Sequence, residues 1–324
     1  MAVEQTGADT MRTIRFHRYG EPIDVLRLEQ TAVPSPAADR IRVRVHACGL
    51  NPADWALCRG LFAGDLPRGI GLDVSGTVDA VGDGVTDVGV GDCVLGVADY
   101  AGCPSAGASD HAILAYWTPV PEGLDLVDAA ALPMAVETAF RSLESLRVAA
   151  GHTLLVHGAG TMMGFAAVQI ALLRGARVIA TAGDTFAGQL RALGATVTAY
   201  GDRMAERVLA IIGGAPDLIL DTAPPSGVLP DLVRVAGGDP RRILTITDFA
   251  AAADLGVRSS FGEDSTLCYD VLDDFAKLAA EGKFKVPVAR TFPLEDWREA
   301  LDVSNSGRAH GKLVLLPART VNPR

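Results

Sequence analysis

The sequence predicts an α/β protein in which a doubly wound parallel sheet is combined with a β-rich domain. Residues 153–182 form a strand pattern, a glycine-rich turn, a helix pattern and a second strand pattern, and helix and strand patterns alternate from about Asp128 onward. The first 120 residues instead carry short β-branched segments separated by Gly, Pro and Asp. We therefore expect two domains with different architectures.

The individual elements follow from the same patterns. In the β-rich half, strands are predicted at residues 13–16, 41–46, 76–81 and 92–97. A long helix is predicted over Ala129–Ser145, and strands of the parallel sheet at residues 153–156, 177–182, 217–221 and 242–246. Helices are also predicted at 165–173 and 295–303, with a closing strand at 311–316. The Ala-, Gly- and Asp-rich segment Phe249–Gly256 is interpreted as a loop.

Composition narrows the class of protein. A length of 324 residues suits two domains, and the formal net charge of −10 argues against a nucleic-acid-binding surface. Residues 1–10 lack the basic and apolar regions of a signal peptide, and no apolar run reaches membrane-spanning length. We therefore predict a cytoplasmic protein that acts on a small molecule, with no membrane or nucleic-acid partner. The five scattered cysteines form no C-x-x-C pair and support neither a disulfide framework nor a cysteine-rich zinc lobe.

The glycine-rich turn at residues 156–165 predicts a dinucleotide-binding loop. Glycines let the backbone turn tightly beside a pyrophosphate, whose charge the N-terminus of the next helix stabilises. The complete strand, turn, helix and strand unit favours this reading over a purely structural turn. The predicted cofactor residues here are Gly158, Ala159, Gly160, Thr161, Met162, Met163 and Gly164, with Thr181 and Thr222. The Thr161 hydroxyl could donate to a phosphate, whereas the two methionines could simply be packing residues.

Several blocks in order resemble a known superfamily. They are Gly49–Trp55, Gly71–Gly76, Val90–Asp92, Ala131–Pro133, Val156–Ala159 and Ser306–Leu315. From about Met11 to Pro317 the chain resembles the medium-chain dehydrogenase/reductase superfamily, and more closely its zinc-independent quinone oxidoreductase branch. The resemblance implies a Rossmann domain at residues 127–287, inserted into a GroES-like catalytic β domain formed by residues 1–126 and 288–324. It also implies an active cleft between the domains and a homodimer.

The same comparison argues against a catalytic metal. The zinc alcohol dehydrogenases carry a cysteine ligand where this chain has Asn51 and a histidine ligand where it has Leu72. Catalytic zinc needs about three protein ligands and an open position, so we predict no metal. A rearranged site using Cys48 and Asp73 is the alternative. Otherwise Cys48 is a small buried residue and Asp73 bonds within its turn.

Cofactor choice is predicted from the end of the second strand. An acidic residue there accepts hydrogen bonds from the ribose of NAD and repels a 2′-phosphate, but this chain has Ala182 followed by Gly183. The resemblance places Tyr200 at the adenosine pocket, although an exposed loop aromatic is the alternative. NADP(H) is favoured. NAD is the alternative cofactor, because Asp184 lies only two positions after Ala182 and no basic residue other than Arg203 is nearby to bind a 2′-phosphate.

The predicted reaction is hydride transfer to a quinone or an α,β-unsaturated carbonyl. The anion formed is resonance-stabilised, so hydrogen-bond donors suffice without a Lewis acid. The resemblance places Asn51 beside the nicotinamide, where its amide could donate to the acceptor oxygen; a turn residue before Pro52 is the alternative. Thr138, Ser260, Phe261 and Lys312 are expected at the cofactor on the same basis, with an exposed lysine the alternative for Lys312.

Two other functions stay open at this point. One is an enoyl reductase that acts on a specific polyketide or acyl intermediate, and the other is a non-catalytic NADPH-binding protein of the same fold. Thr161 and Met162 stand where the branch usually has glycines, and Ala56 replaces a tyrosine that is often found in its active site. The loops at residues 57–69 and 100–110 are expected to shape the acceptor pocket, and their sequence does not identify the acceptor.

Overall fold

The computed structural model describes residues 9–261 and 266–317. The chain divides into two compact units, the first comprising Met1–Met134 and Leu272–Arg324 and the second Ala135–Val271. Residues 127–134 and 272–287, which the sequence assigns to the Rossmann domain, group with the first unit. Residues 1–8, on which the signal-peptide expectation depends, lie outside the described part.

The strands are numbered in chain order. They are β1 Thr10–Phe16, β2 Arg27–Ala32, β3 Ile41–Leu50, β4 Arg68–Gly69, β5 Asp73–Val81, β6 Cys93–Ala98, β7 His111–Pro119, β8 Thr153–His157, β9 Arg177–Thr181, β10 Thr196–Thr198, β11 Leu218–Asp221, β12 Ile243–Thr245, β13 Arg258–Ser259, β14 Val288–Pro293 and β15 Lys312–Leu316.

Two sheets build the first unit. One contains β2, β1 and β4, and the other has the order β14-β15-β3-β5-β6-β7. In the larger sheet β7 pairs with both β6 and β3, so these antiparallel strands close on themselves. The returning strand β15 pairs antiparallel with β3, with Val314 opposite Gly49. A β-rich fold completed by late strands is therefore confirmed.

The second unit contains one parallel sheet in the order β10-β9-β8-β11-β12-β13. Numbered within the unit, this is the order 3-2-1-4-5-6 of a Rossmann sheet. The alternation seen in the sequence predicts this sheet correctly, because the crossover segment after each strand returns the chain to the end of the sheet at which the next parallel strand begins. Its core is formed by residues such as Leu155, Ile219 and Ile243, which are fully buried.

The α-helices are short except for α4 and α5. They are α1 Pro22–Val25, α2 Pro52–Cys58, α3 Leu126–Ala129, α4 Pro133–Leu146, α5 Met162–Leu173, α6 Asp184–Ala192, α7 Met204–Ile212, α8 Leu229–Val235, α9 Phe249–Leu255, α10 Leu272–Ala280 and α11 Trp297–Asn305. No helix among the residues with described structure is both long and apolar enough to span a membrane.

Two sequence expectations about helices need correction. The helix predicted over Ala129–Ser145 is α4, but it begins four residues later, at Pro133, because a turn separates it from α3, which ends at Ala129; proline starts helices because it lacks a backbone N–H. The predicted loop Phe249–Gly256 contains α9. Asp248 caps this helix by accepting from the Ala251 N–H, and Gly256 ends it at a φ of 68°. Alanine is the strongest helix former, which a reading based on loop composition overlooked.

Candidate functional site

The glycine-rich loop lies at the carboxyl end of β8 in the second unit. Gly158 has a φ of 78°, and a Cβ atom on it would lie 2.5 Å from the Ala223 backbone nitrogen. A Cβ on Gly164, in the first turn of α5, would lie 2.5 Å from the Gly158 carbonyl oxygen. Both glycines therefore let backbone segments approach closely. A Cβ on Gly160 would make only an ordinary contact, at 3.6 Å, with the ring of Phe186, so this position has room for a side chain.

Three threonines, all predicted from the sequence, fix the shape of this loop. Thr161 is the N-cap of α5, and its hydroxyl accepts from the Gly164 N–H and donates to Thr222 Oγ1 at 3.1 Å. Thr222 Oγ1 in turn donates to the carbonyl oxygen of Gly158 at 2.9 Å. Thr181 Oγ1 accepts from the Gly158 N–H at 3.1 Å. The single Thr161 hydroxyl hydrogen is already used, so a phosphate must compete with Thr222 for it.

The rest of the loop presents the start of α5. Ala159 is fully buried, Met162 is 9% exposed, and Met163 is half-buried. Met162 and Met163 are the first residues of α5, a helix of 12 residues. Because the first amides of a helix have no intrahelical acceptor, they are available to an anion beside the loop.

Two buried ionisable groups lie at the ends of neighbouring parallel strands. His157 is paired in register with Asp221, the last residue of β11. Burial lowers the pKa of His157 to about 4, and its Nδ1 lies 2.8 Å from Thr181 Oγ1. Burial raises the pKa of Asp221 to about 6, although Thr245 Oγ1 donates to this carboxylate at 2.9 Å. His157 is thus a packed neutral histidine within this edge of the sheet.

The predicted adenosine residues follow β9. Ala182 is buried and Gly183 is the N-cap of α6. A Cβ on Gly183 would lie 3.5 Å from the Tyr200 ring, whose residue is 61% exposed. Asp184 is exposed at the first position of α6, and Arg203 forms an ion pair with Glu206 at 2.7 Å. The structure brings Gly183 and Tyr200 together and leaves Arg203 on an exposed turn.

Thr138, Ser260 and Phe261 also meet in the second unit. Thr138 Oγ1 donates to Glu137 Oε2 at 3.3 Å, and Arg141 Nη1 donates to the Ser260 carbonyl oxygen. The Phe261 ring lies 5.1 Å from the Arg141 guanidinium carbon. Sequence reasoning missed Glu137 and Arg141. Their only signal was two opposite charges one turn apart in a helix that is otherwise mostly apolar.

In the first unit, Asn51, Asp73 and Lys312 form a buried polar cluster. Lys312 Nζ, on β15, donates to Asn51 Oδ1 at 2.5 Å and to Asp73 Oδ2 at 2.7 Å. Asn51 Nδ2 donates to the same Asp73 oxygen at 3.0 Å, and the Met134 N–H donates to the other at 2.9 Å. All three side chains belong to residues that are at most 3% exposed. The exposed-lysine alternative for Lys312 is therefore wrong.

A second buried carboxylate, Asp54, supports this cluster. Its Oδ1 accepts from the Gly71 and Leu72 N–H groups at 2.7 and 3.0 Å, and its Oδ2 accepts from the Asn51 N–H at 2.7 Å. Burial raises the pKa of Asp54 to about 6. Asp54 thereby fixes the backbone of Asn51, the N-cap of α2. Asp54 therefore has a structural role in this cluster.

Few atoms that could bind a metal ion lie around the cluster. Cys48 is fully buried, and burial, followed by the charge of Asp54, raises the pKa of its thiol well above the ordinary value. Leu72 supplies no metal-binding atom. Within residues 9–261 and 266–317, no group of three or more His, Cys, Asp and Glu side chains could hold a metal ion.

Arg68 connects the two loops that are expected to shape an acceptor pocket. It is 4% exposed, and its Nη1 and Nη2 donate to the carbonyl oxygens of Phe62 and Tyr100 at 2.5 and 3.4 Å. The guanidinium carbon also lies 5.6 Å from the centre of the Tyr100 ring. One buried arginine thus fastens the loop that contains Phe62 to the loop that begins at Tyr100.

Comparison with known proteins finds family models that match parts of both units. The model described as alcohol dehydrogenase GroES-like domain matches residues 37–120, and the model described as zinc-binding dehydrogenase matches residues 193–315. The quinone oxidoreductase of Lama guanicoe is 31% identical over 96% of this chain and 99% of its own length. That of Rattus norvegicus is 39% identical, and the chain spans about half of its length, with 55% of each chain covered.

Two further similarities are to a segment of a much longer protein and to a solved structure. Erythronolide synthase EryA2 of Saccharopolyspora erythraea is 32% identical over 88% of this chain, which corresponds to 8% of the synthase. The solved quinone oxidoreductase of Coxiella burnetii superposes with a TM-score of 0.81 at 27% identity, covering 96% of this chain and all of that one. These similarities extend across both units of the chain.

Proposed function

The chain belongs to the quinone oxidoreductase-like branch of the medium-chain dehydrogenase/reductase superfamily, and we propose that it reduces a quinone or an α,β-unsaturated carbonyl with NADPH and without zinc. The observation that carries this proposal is the buried cluster of Asn51, Asp73 and Lys312. One member of the cluster, Asn51, stands where the resemblance places a cysteine ligand of the zinc enzymes, and Asp73 directly follows Leu72, which stands where it places the histidine ligand.

The cluster is chemically unsuited to a metal cation. The Asp73 carboxylate is the nearest anionic donor, and its Oδ2 already binds the Lys312 ammonium and the Asn51 amide. A divalent ion placed there would be repelled by the ammonium at short range in a medium that screens charge poorly. Leu72 adds no ligand. The proposed reaction therefore relies on hydrogen bonding.

Asn51 is the proposed donor to the acceptor oxygen. A primary amide has two N–H donors, and Asp73 uses one Nδ2 hydrogen. The Lys312 ammonium, bound to Oδ1, withdraws electron density from the amide and strengthens the remaining N–H as a donor. That hydrogen bond stabilises the negative charge that an enone or quinone oxygen gains on reduction. NADPH, when bound, supplies the hydride.

The loop at residues 158–164 is proposed to hold the pyrophosphate. The positive φ of Gly158 and the close packing at Gly164 place the loop against the N-terminus of α5, whose free amides suit an anion. We propose NADPH over NADH because Ala182 and Gly183 present no carboxylate to a 2′-phosphate and Tyr200 borders the same point. The neighbouring carboxylate of Asp184 is exposed, where water screens its charge.

The test is cofactor oxidation by protein treated with a chelator. NADPH and NADH are offered with quinones, unsaturated carbonyls and simple aldehydes, and Asn51→Ala is the matched variant. We expect turnover of NADPH with quinones or enones, little with aldehydes, no gain on adding zinc, and a loss of roughly 100- to 1,000-fold in kcat for Asn51→Ala. Zinc-dependent oxidation of alcohols would overturn the proposal.

A second candidate is an enoyl reductase that acts on a carrier-bound or CoA-bound acyl intermediate. The match to a segment of erythronolide synthase EryA2, a synthase by its name, favours it. Both candidates use the same hydride transfer and differ in the acceptor. Offering 2-enoyl thioesters beside quinones at equal concentrations distinguishes them by kcat/KM. Tight NADPH binding with no turnover of any acceptor would instead indicate the non-catalytic alternative.

We further propose that the protein is a cytoplasmic homodimer. The mild negative charge supports a cytoplasmic location, and the family resemblance supports the dimer. Light scattering after gel filtration measures the assembly, for which twice the chain mass of 33.8 kDa is expected. A monomer at micromolar concentration would contradict it.

A further inference from the structure

One arginine of the second unit holds the exposed loop that carries Tyr200. The loop connects β10 to α7, and its residues 199–203 are all exposed, so packing does little to fix its shape. Arg207 is the fourth residue of α7 and is half-buried against this loop. The shape of the loop therefore depends on hydrogen bonds, and Arg207 supplies most of those that reach it from outside.

The Arg207 guanidinium donates four hydrogen bonds to the loop and to the strand end before it. Nε donates to Thr198 Oγ1 at 3.2 Å, and Nη1 donates to the Asp202 carbonyl oxygen at 2.5 Å. Nη2 donates to the carbonyl oxygens of Ala199 and Tyr200 at 2.9 and 3.3 Å. A guanidinium has five N–H donors in a rigid plane, so almost all of them are used on one stretch of chain.

The acceptors show that Arg207 acts on the shape of the loop. All four are uncharged oxygen atoms, whereas the neighbouring Arg203 pairs with the carboxylate of Glu206. The loop also needs support, because Gly201 and Arg203 have φ angles of 81° and 57°, and a non-glycine residue is unfavourable in that region. Arg207 thus holds the backbone of Tyr200 in a conformation that the loop does not favour by itself.

The position of this loop relative to β9 is fixed at the strand end. The Ala182 N–H donates to the Thr198 carbonyl oxygen at 3.1 Å, which joins the start of the loop to the residue after β9. A Cβ on Gly183 would lie 3.5 Å from Tyr200 Cε1 and 3.6 Å from the Tyr200 hydroxyl oxygen. Because Tyr200 is 61% exposed, its backbone directs the ring toward Gly183 more than its own packing does.

These contacts indicate a positioning role for Arg207. We infer that Arg207 holds Tyr200 beside Gly183, so that the adenosine half of the cofactor meets a surface that is already ordered before binding. A loop that is ordered in advance removes the entropy cost of ordering it on binding, and the difference appears as affinity. Arg207 acts here through Tyr200 and needs no contact with the cofactor. The inference rests on the proposed function, which assigns a nicotinamide cofactor to this edge of the sheet.

Binding of two ligands to the full chain tests the role of Arg207. The ligands are NADP⁺ and 2′,5′-ADP, which is the adenosine half of NADP⁺ without the nicotinamide half. We expect Arg207→Met to weaken both by the same factor, about 3- to 10-fold, and the loss should appear in KM for NADPH and not in kcat. Arg234→Met is the matched control, because Arg234 is an exposed arginine of the same unit that pairs with Asp231; both affinities should stay unchanged.

Two further variants separate position from charge. Arg207→Lys keeps the positive charge, but one ammonium cannot reach all four acceptors, so this variant should bind 2′,5′-ADP as weakly as Arg207→Met does. Tyr200→Ala should weaken 2′,5′-ADP by at least about 5-fold, the low end for an aromatic ring stacked on a base. Adding Arg207→Met to Tyr200→Ala should weaken it little further, because residues that act through one contact are not additive.

The outcomes separate this inference from the proposed function. If the wild type binds neither NADP⁺ nor NAD⁺, the proposed function fails and the inference fails with it. If NADP⁺ binds and Arg207→Met binds it equally well, only the inference is overturned. Wild-type affinity in Arg207→Lys, or additive losses in the double variant, would also overturn it, since Arg207 would then act through its charge or independently of Tyr200. A preference for NAD⁺ overturns only the cofactor choice, because the same variants should then weaken NAD⁺ and 5′-AMP.

Discussion

Replacing Lys312 by methionine should destabilise the first unit strongly. Methionine keeps the length of the side chain but leaves Asp73, whose side chain is 0% exposed, as a buried carboxylate without its cation. Breaking a buried pair from one side costs about 3–5 kcal/mol. Asp73 keeps hydrogen bonds from Asn51 and from the Met134 N–H, so we expect a value near the lower end, about 3 kcal/mol.

A compensating variant separates charge from packing. Asp73→Asn/Lys312→Met removes both charges and retains an acceptor for the Met134 N–H, so it should recover most of the lost stability. Lys277→Met is the matched control. Lys277 lies 2.6 Å from Asp273, but both side chains are about half exposed, and we expect no measurable change.

Denaturant unfolding followed by tryptophan fluorescence reports on this unit selectively. All three tryptophans, Trp55, Trp117 and Trp297, belong to it. The midpoint should fall for Lys312→Met, return toward the wild-type value for the double variant and stay unchanged for Lys277→Met. If Lys312→Met unfolds at the wild-type midpoint, the ammonium is not the counter-ion of Asp73, and the reading of Asn51 as a polarised amide loses its basis.

Three further changes probe the loops and the second unit. Gly164→Ala places a Cβ 2.5 Å from two oxygen atoms, so it should lower the free energy of unfolding by about 1–3 kcal/mol in a thermal unfolding experiment and weaken NADPH binding. Gly188→Ala, with open space around it, is the control and should lower neither stability nor NADPH affinity. His157→Gln should remove a pH dependence of stability. Because the pKa of His157 is lowered to about 4 in the folded protein, the free energy of unfolding of the wild type falls by roughly 3 kcal/mol as pH drops from about 6.5 to 4. A variant that keeps this fall would contradict the assignment. Arg68→Met should raise KM for the acceptor severalfold without changing KM for NADPH, because it releases the two loop carbonyls; steady-state kinetics measures both, and an unchanged acceptor KM would refute the role of Arg68.

The parallel sheet was predictable because its signals are local. The strand ending at His157, the turn at Gly158 and the helix that follows occupy about 20 consecutive residues, and hydrophobic periodicity with glycine placement specifies each of them. The break between α3 and α4 was missed, although Pro133 marks it. The helix at Phe249–Leu255 was missed because its alanines were given less weight than its flanking Asp and Gly.

The polar clusters were much harder to predict. Asn51 and Lys312 were singled out separately through a family resemblance. They are 261 residues apart in sequence, and their contact depends on the pairing of β15 with β3. The Glu137–Arg141 pair has ordinary helical spacing, and only the buried contact with Ser260 distinguishes it from a surface pair. Tertiary contacts of this kind produce no periodic pattern in the amino-acid sequence.

The route of the chain has a consequence for biosynthesis. Asp73 is made 239 residues before Lys312, its cationic partner. The nascent first unit therefore holds an acidic side chain destined for its interior, and for most of translation that side chain has no counter-ion. The second unit has its whole sequence available once Val271 leaves the ribosome, so it is free to fold before the unit that began to emerge first. Arrival of β15 is then the event that completes the first unit and assembles its polar cluster in a single late step.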